Sequence, residues 1–535
     1  MKKILILFIM FLCVTLISCN NTGYETENEG GQTPNDETIL VSRIAETSEG
    51  RRYIEVDGEP FNYNGAQIRV DWLVDAQGEE VEELEIYFEK AAKLGVKMVE
   101  LPIQWKDVEP RENAYNFRNL SLMLSMAKKY GLKVEILLFT VNIGGMTGCV
   151  PDYIKDNKDK YPQYANDLNH PDALFFKLTN KNLLEREGLM VKALMESIYN
   201  WSILNESNTV ISVQVRNEPD LYTKRIKEHN VRKDDGNQLS FDEAWDENIR
   251  SIDYIAKIIK SSKYQVITRV NLCCYYENPE ISHENWHKVV SLESVDLIGE
   301  DTYNSQLSFN KNVILNMYKE LMDEYNTYPQ IAENTGHFMS TASLFLMSNI
   351  LGCGYSIYDL ITPQVIVEEW GYYDWGILNN ITKEEKPAFA IAKEILDGIN
   401  KSGPYMAITN LKDIAGFNLL TDIPKTNIKQ VVKTTKTTYE FETTSGALAY
   451  AINNGQYIYL FSTADCTINV SDSTLDSIYE TGYVLSNGDF VSEEIHNLTS
   501  SKIELSGNLF YRIKVTTCTD QVSTTLDNLA LESNN

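Results

Sequence analysis

The sequence predicts a (β/α)8 TIM barrel followed by a smaller all-β, sandwich-like domain, and three observations carry that expectation. From Tyr53 onward, short apolar runs alternate with longer amphipathic ones, the pattern of repeated βα units. Eight of the short runs fit strands: 65–70, 97–104, 132–140, 210–216, 265–272, 295–301, 328–333 and 353–359. None is followed by Gly-x-Gly-x-x-Gly, which favours a closed barrel over an open doubly wound sheet. Beyond Ser402-Gly403-Pro404 the alternation stops, and Thr, Val, Ile and Tyr take over.

In chain order, the first segment stands outside that pattern. Met1-Lys2-Lys3 is basic, Ile4 to Ile17 is apolar but short for a bilayer, and Leu16-Ile17-Ser18-Cys19 puts a cysteine where a small-x-small cleavage site would fall. Residues 1–18 therefore read as a signal peptide and Cys19 as a lipidation site. Residues 20 to about 40 lack apolar anchors, and 19–45 reads as an acidic, flexible tether. The barrel occupies 46–402. Within it Glu80–Leu94 and Leu120–Tyr130 have apolar residues at three- and four-residue spacing, and Gly95 and Gly131 follow as helix stops. Two long segments, 141–180 and 220–248, follow strands and belong to the rim, where loops shape a binding site. Residues 403–535 form the β domain. There Gln456–Ser462, Thr467–Val470 and Leu509–Val515 fit antiparallel strands, with turns at Asn453-Asn454-Gly455 and Ser486-Asn487-Gly488.

The formal net charge is −28, and loss of Lys2 and Lys3 would make the processed chain two units more negative. Nucleic acid and an anionic membrane surface would both repel it, whereas a neutral ligand would not. Eight cysteines are too few for a disulfide scaffold in a chain this long. Cys149, Cys273, Cys274 and Cys353 read as small buried residues, and Cys466 and Cys518 could pair. No Cys or His spacing suggests a metal site.

Chemistry concentrates in two segments. Gln214-Val215-Arg216-Asn217-Glu218-Pro219-Asp220 and Pro329-Gln330-Ile331-Ala332-Glu333-Asn334 each contain a run that stops on a glutamate. A parallel barrel presents the C-terminal ends of its strands at one rim. Two carboxyl groups facing across that rim suit glycosidic bond cleavage, one giving a proton and the other attacking. Glu300, in Ile298-Gly299-Glu300-Asp301, is a rival for the second role. Trp72, Trp105, Trp370 and Trp375 are candidates for stacking on sugar C–H faces.

Asn217-Glu218-Pro219 at the end of the fourth strand resembles the acid/base segment of the clan A glycoside hydrolases, whose nucleophile glutamate ends the seventh. Val96 to Trp105, with Val108-Glu109-Pro110 and Tyr115-Asn116-Phe117, is similar to the second-strand region of the β-galactosidase families 35 and 42. The resemblance spans roughly residues 55–395. It implies a retaining β-glycosidase with Glu218 as acid/base, Glu333 as nucleophile and Asn217 on the sugar 2-hydroxyl. It further implies Tyr303 orienting the nucleophile, Trp105, Trp370 and Trp375 in the sugar site, no cofactor or metal, and an oligo- or polysaccharide partner. Glu100 departs from the arginine of the cellulase-like family 5. The eighth strand lacks the tryptophan the clan often places there, and the segment after Glu333 does not match family 35. Cys19 and the acidic stretch after it resemble Bacteroidetes surface lipoproteins, implying an outer-membrane location on the cell surface or periplasmic face, with the membrane reached through the lipid alone. Two other classes fit the same residues: a glycan-binding lipoprotein on a catalytically dead barrel, and an endo-acting β-glycanase.

Overall fold

The computed structural model describes residues 37–141, 149–167, 174–273, 287–301, 330–334, 338–371, 373–418, 420, 428–498 and 502–518, with 330–334, 338–340, 517 and 518 as backbone path. From Thr38 onward the chain is one compact unit.

Eight parallel strands form its centre: β1 (Asn64–Gln67), β2 (Met98–Gln104), β3 (Lys133–Phe139), β4 (Val210–Asn217), β5 (Ile267–Leu272), β6 (Leu297–Asp301), β7 (Gln330–Asn334) and β8 (Gly354–Ile357). Each pairs with its sequence neighbours, and β8 pairs back onto β1, so the sheet returns on itself. Strands enclosed on both faces must be apolar outside and filled inside, and β2 is buried along its whole length. The first predicted run is cut short: β1 stops at Gln67, and Trp72–Ala76 coils into a π-helical turn.

The longer helices that follow these strands among the described residues are α1 (Glu85–Leu94), α2 (Arg118–Lys129), α3 (Lys181–Asn205), α4 (Pro219–Glu228), α5 (Phe241–Lys260), α6 (Phe338–Leu351) and α7 (Ala390–Lys401). The helix predicted from Glu80 opens as a 3-10 turn, Val81–Leu84, capped reciprocally by Glu80 and Glu83. It ends at Gly95, whose φ of 100° carries no Cβ penalty. The 220–248 segment is not simply a rim loop: its first part is α4, with Pro219 in the first turn, where its missing N–H leaves no bond unmade. The rest joins the segment after β3. A short ladder pairs Gln163–Tyr164 with Phe175–Phe176, and the Arg232 N–H donates to the Ala165 carbonyl at 2.7 Å.

One irregularity lies in β4. Gln214 is level with Arg269 of β5 and Asn217 with Asn271, so three steps on β4 match two on β5, and the bulge falls between Gln214 and Arg216. Gln214 and Asn217 thus share the inner face. Arg216 points outward to Glu187 of α3, Thr140 and Ser251 of α5.

A three-stranded antiparallel sheet, Ser42–Glu46, Arg52–Val56 and Glu59–Phe61, precedes the barrel. Ser42 fastens it to the strands, donating to the Ile211 carbonyl and accepting from the Ile267 N–H at 3.0 Å.

The C-terminal region holds two antiparallel sheets. β9 (Ile414–Asn418), β12 (Leu448–Asn454), β13 (Tyr457–Ser462), β18 (Phe510–Cys518), β15 (Ser473–Val484) and β16 (Phe490–Asn497) form one. β10 (Ile428–Lys433), β11 (Thr438–Thr443), β14 (Cys466–Ser471) and β17 (Lys502–Leu505) form the other. Phe417, Leu460 and Ile513 of the first sheet and Phe441, Ile468 and Ile503 of the second share one apolar core. Cys466 is a free, buried thiol in the smaller sheet, and the side chain of Cys518, its expected partner, lies outside the described residues.

The larger sheet's other face continues the barrel's core, because Tyr450, Phe461 and Phe510 belong to the same apolar cluster as α7. Gly398 of α7 makes that approach possible: a Cβ there would stand 2.5 Å from the Phe461 ring. We predict that Gly398→Ala lowers stability by about 1–3 kcal/mol, overpacking outweighing the gain of about 1 kcal/mol in helix propensity. Urea unfolding followed by tryptophan fluorescence checks it; a raised midpoint would mean that the ring simply moves aside.

Candidate active site

The barrel's interior is polar. Arg269 of β5 lies at its centre, fully buried, with its Nε on Glu135 of β3 at 2.8 Å and Glu100 of β2 at 3.6 Å from Nη2. Glu135 also accepts from the Tyr63 hydroxyl at 2.6 Å and the Ser212 hydroxyl at 2.9 Å. Buried ions persist only when paired and hydrogen-bonded, which this arrangement satisfies. Toward the C-terminal ends of the strands, Arg269 donates to the side-chain oxygens of Gln214 at 2.7 Å and Asn271 at 3.3 Å. Their amide nitrogens in turn donate to Asn217 Oδ1, at 3.0 Å from Gln214 and 3.5 Å from Asn271. Asn271 Nδ2 also donates to Asp301 of β6 at 2.7 Å. The ladder places Asp301 level with Glu333 on β7.

Glu218 follows directly. It is the turning point between β4 and α4, with φ 49° and ψ 50°. A non-glycine residue in this left-handed region costs roughly 1–2 kcal/mol. A residue before proline is also biased toward extended backbone. Two contacts hold the turn: the Glu218 N–H donates to the Asn271 carbonyl at 2.8 Å, and the Asp220 carboxylate accepts from the Cys273 N–H at 3.0 Å. The neighbouring strand β5 therefore clamps both sides of the glutamate.

Across the ring, β8 and β1 build an aromatic corner. The Arg69 guanidinium is held by both oxygens of Asp71, at 2.9 and 2.7 Å, and donates to the Tyr358 hydroxyl at 2.7 Å. Trp72 stacks on it, with Cζ 3.5 Å from the ring centroid, a cation–π contact. Trp370 meets Trp72 edge to face and is 59% exposed. Below lies Asp359, fully buried, accepting from the Thr362 hydroxyl at 3.0 Å. Burial pushes its carboxyl up to about 7, against the smaller opposing pulls of Thr362 and Arg69. A cavity of about 350 Å³ adjoins the corner, lined by Asp71, Asp75, Gln104 and Lys106 among others; it includes neither Glu218 nor Asn217. Among the described residues no group of His, Cys, Asp or Glu is placed to hold a metal ion, and no helix is long and apolar enough to cross a membrane.

Residues 248–424 match a family model described as a domain of unknown function (DUF4978), which covers less than half of the chain. No curated protein matches. Among solved structures, this chain is similar to an exo-β-1,4-mannosidase from Opitutaceae bacterium strain TAV5, at 14% identity and a TM-score of 0.46 over 67% of this chain and 62% of that one. It is also similar to a β-galactosidase from the psychrophilic Marinomonas ef1, at 11% identity and 0.43 over 63% and 59%. A third is a polyextremophilic β-galactosidase from the Antarctic haloarchaeon Halorubrum lacusprofundi, at 12% and 0.46 over 63% and 58%. The chain thus spans less than two thirds of each of these proteins. Likeness at this level carries no argument about activity.

Of the residues singled out from sequence, Asn217 and Glu218 stand together at the end of β4, and Glu333 is on β7. Tyr303 and Cys19 lie outside the described residues. Trp105 is a correction. It is completely buried, and its indole N–H donates to Glu109 at 2.9 Å, so no sugar can stack on it. Glu109 also pairs with Arg186 of α3 at 2.6 Å, and Arg186 reaches the Tyr115 hydroxyl. The Trp105–Phe117 block therefore fastens the loop after β2 to α3. Trp375 is half-buried with its backbone N–H on the Thr362 hydroxyl at 3.0 Å, whereas Trp370 is open. In the rival pair, Glu300 is level with Leu272 on the outward phase, and Asp301 takes the inward position. Arg69, Asn271, Tyr358 and Arg269 carry no motif. Buried polar residues at alternate positions of the fifth run were the available signal for Arg269 and Asn271.

Two predictions follow from this geometry. Asp359 has a folded-state value above its unfolded one, so the protonated carboxyl contributes stability that is full below about pH 4 and is lost as pH rises through about 7. We predict that Asp359→Asn removes this loss, on the order of 4 kcal/mol, so that thermal unfolding of the variant falls less than wild type between pH 5 and 8. Parallel pH profiles would refute it. Glu218→Gly relieves the left-handed strain, partly offset by glycine's unfolded-state entropy. Its stability should be unchanged or raised by up to about 1 kcal/mol, in contrast to an ordinary buried-strand substitution; calorimetry decides.

Proposed function

We propose that the protein is a retaining β-glycosidase on a (β/α)8 barrel, with Glu218 as acid/base and Glu333 as nucleophile. The observation that carries this reading is Glu218 itself: a carboxyl held at the C-terminal end of β4 in a strained backbone conformation, beside an asparagine whose side-chain oxygen is already engaged. Strain of this kind survives where surrounding structure over-determines it, and it collects at functional sites. A glycan-binding protein would have no use for it.

In the first step the Glu333 carboxylate attacks the anomeric carbon while Glu218 gives its proton to the departing glycosidic oxygen, leaving a glycosyl ester on Glu333. In the second, Glu218, now a carboxylate, takes a proton from water; the hydroxide attacks the same carbon and Glu333 leaves. Asn217 donates to the sugar 2-hydroxyl, a contact that strengthens as positive charge develops on the ring. The two carboxyl groups should then stand about 5–5.5 Å apart.

The segments after β3 and β4 pair through Ala165 and Arg232, which supports a rim walled at one end, a shape that suits a chain end better than a chain interior. With the sequence resemblance, this favours exo-acting release of a terminal β-linked hexose, galactose first. Trp370 would stack on a neighbouring sugar. Leu16-Ile17-Ser18-Cys19 and the acidic stretch after it support a lipoprotein of the outer membrane, on the cell surface or the periplasmic face.

Glu333→Ala should abolish turnover of every substrate. Glu218→Ala should cost about 10²–10⁴-fold with poor leaving groups, spare 2,4-dinitrophenyl glycosides, and be rescued by azide. Inverted anomeric configuration in the first product, read by NMR, would sink the mechanism. A ladder of oligosaccharides early in a polysaccharide digest would replace exo action with endo. Cys19→Ala should leave the protein unlipidated, and absence of lipid on wild type by metabolic labelling would overturn the anchor.

A further inference from the structure

The donor-only charge at the barrel's centre sets the hydrogen-bond polarity of the sugar-facing rim. A guanidinium has five N–H donors and no acceptor. Whatever amide meets Arg269 must therefore present oxygen to it, and both Gln214 and Asn271 do, at 2.7 and 3.3 Å. Each amide then has only its nitrogen left to turn toward the C-terminal ends of the strands. Asn217 meets both nitrogens, at 3.0 and 3.5 Å, and presents its oxygen to them. Its own nitrogen is thereby directed away from the barrel's centre. Two amide layers carry the sign of the charge upward, and reversing either would place N–H against N–H.

Glu135 holds the base of this relay. It accepts from Arg269 at 2.8 Å and is itself filled by Tyr63 and Ser212, so the guanidinium cannot swing away without leaving a buried carboxylate unpaired. Every member but Asn217 is at least nine-tenths buried.

We propose that Gln214, Asn271 and Arg269 are positioning residues that lock Asn217 as a hydrogen-bond donor toward the substrate, making the site selective for a sugar carrying an acceptor at C2. The proposal rests on the reading of Glu218 and Asn217 as catalytic and sugar-binding groups. Gln214→Glu tests it: the carboxylate still accepts from Arg269 but offers no donor to Asn217, whose amide should turn over.

With 4-nitrophenyl β-glycosides and their 2-deoxy counterparts, wild type should prefer the 2-hydroxy substrate strongly in kcat/KM. Gln214→Glu should lose at least tenfold of that preference, falling to the level of Asn217→Ala, with most of the loss in the 2-hydroxy rate. Gln214→Leu should act in the same direction if the glutamate variant folds poorly. Equal loss on both substrates would show a merely structural role and overturn the proposal. Neutron diffraction from the deuterated wild type decides the orientation without any turnover: deuterons on Asn217 Nδ2 directed away from Gln214 support it, and deuterons directed at Gln214 overturn it. A wild type that hydrolyses no glycoside would instead remove the glycosidase reading, leaving the neutron result to stand alone.

Discussion

The fold depends on a positive charge in a place where charge is expensive. Moving a guanidinium out of water costs several kcal/mol even after relaxation, and Arg269 is fully enclosed. It is tolerated because β2, β3, β4 and β5 each bring an acceptor within reach: Glu100, Glu135, Gln214 and its own neighbour Asn271. A slip of one residue in any of these strands would exchange that acceptor for a side chain of the outer face. The ion therefore specifies register, a task that Val and Leu layers inside a barrel perform only through shape.

Strand β4 is gripped from both sides. Inside, Gln214 and Asn217 belong to the network around Arg269. Outside, Arg216 forms a second buried ion pair with Glu187 at 2.5 Å, supported by Ser251 at 2.6 Å. The two systems share no residue, yet both converge on the four positions before Glu218. A left-handed glutamate ahead of a proline would relax if the strand end could shift. Here it cannot, and Asp220 fastens the far side of the turn to β5. Rigidity at this point fixes the backbone of Glu218, which is what the proposed acid/base role would require of it.

Much of the barrel was legible because strand, helix and stop signals repeat with a physical period: apolar runs for strands closed in on both faces, three- and four-residue spacing for helices, Gly95 as a stop. Glu218 was legible for the same reason, since a run ending in a glutamate and proline identifies a strand terminus. Trp105 misled because its motif is real but structural; only the distance from its indole nitrogen to Glu109 separates a packing tryptophan from a sugar platform. The partners of Arg269 come from strands far apart in the chain, so no local pattern announces them. Whether Glu300 could rival Glu333 turns on which phase of β6 faces inward, and the adjacent Asp301 leaves that phase unreadable without the ladder.

The bulge in β4 has a consequence for how this segment can change over evolutionary time. Side chains along a strand alternate, so one extra residue between Gln214 and Arg216 inverts the alternation for everything after it. Substitutions at Val215 alter only local packing. Straightening the strand at its present length would instead bring the Arg216 cation into the barrel beside Arg269 and send Asn217 out among the helices, stranding Glu187 without its partner. Loss of Val215 would remove the bulge yet leave Gln214 and Asn217 inward and Arg216 outward, so length and bulge are tied: relatives should carry β4 either at this length with the bulge or one residue shorter without it.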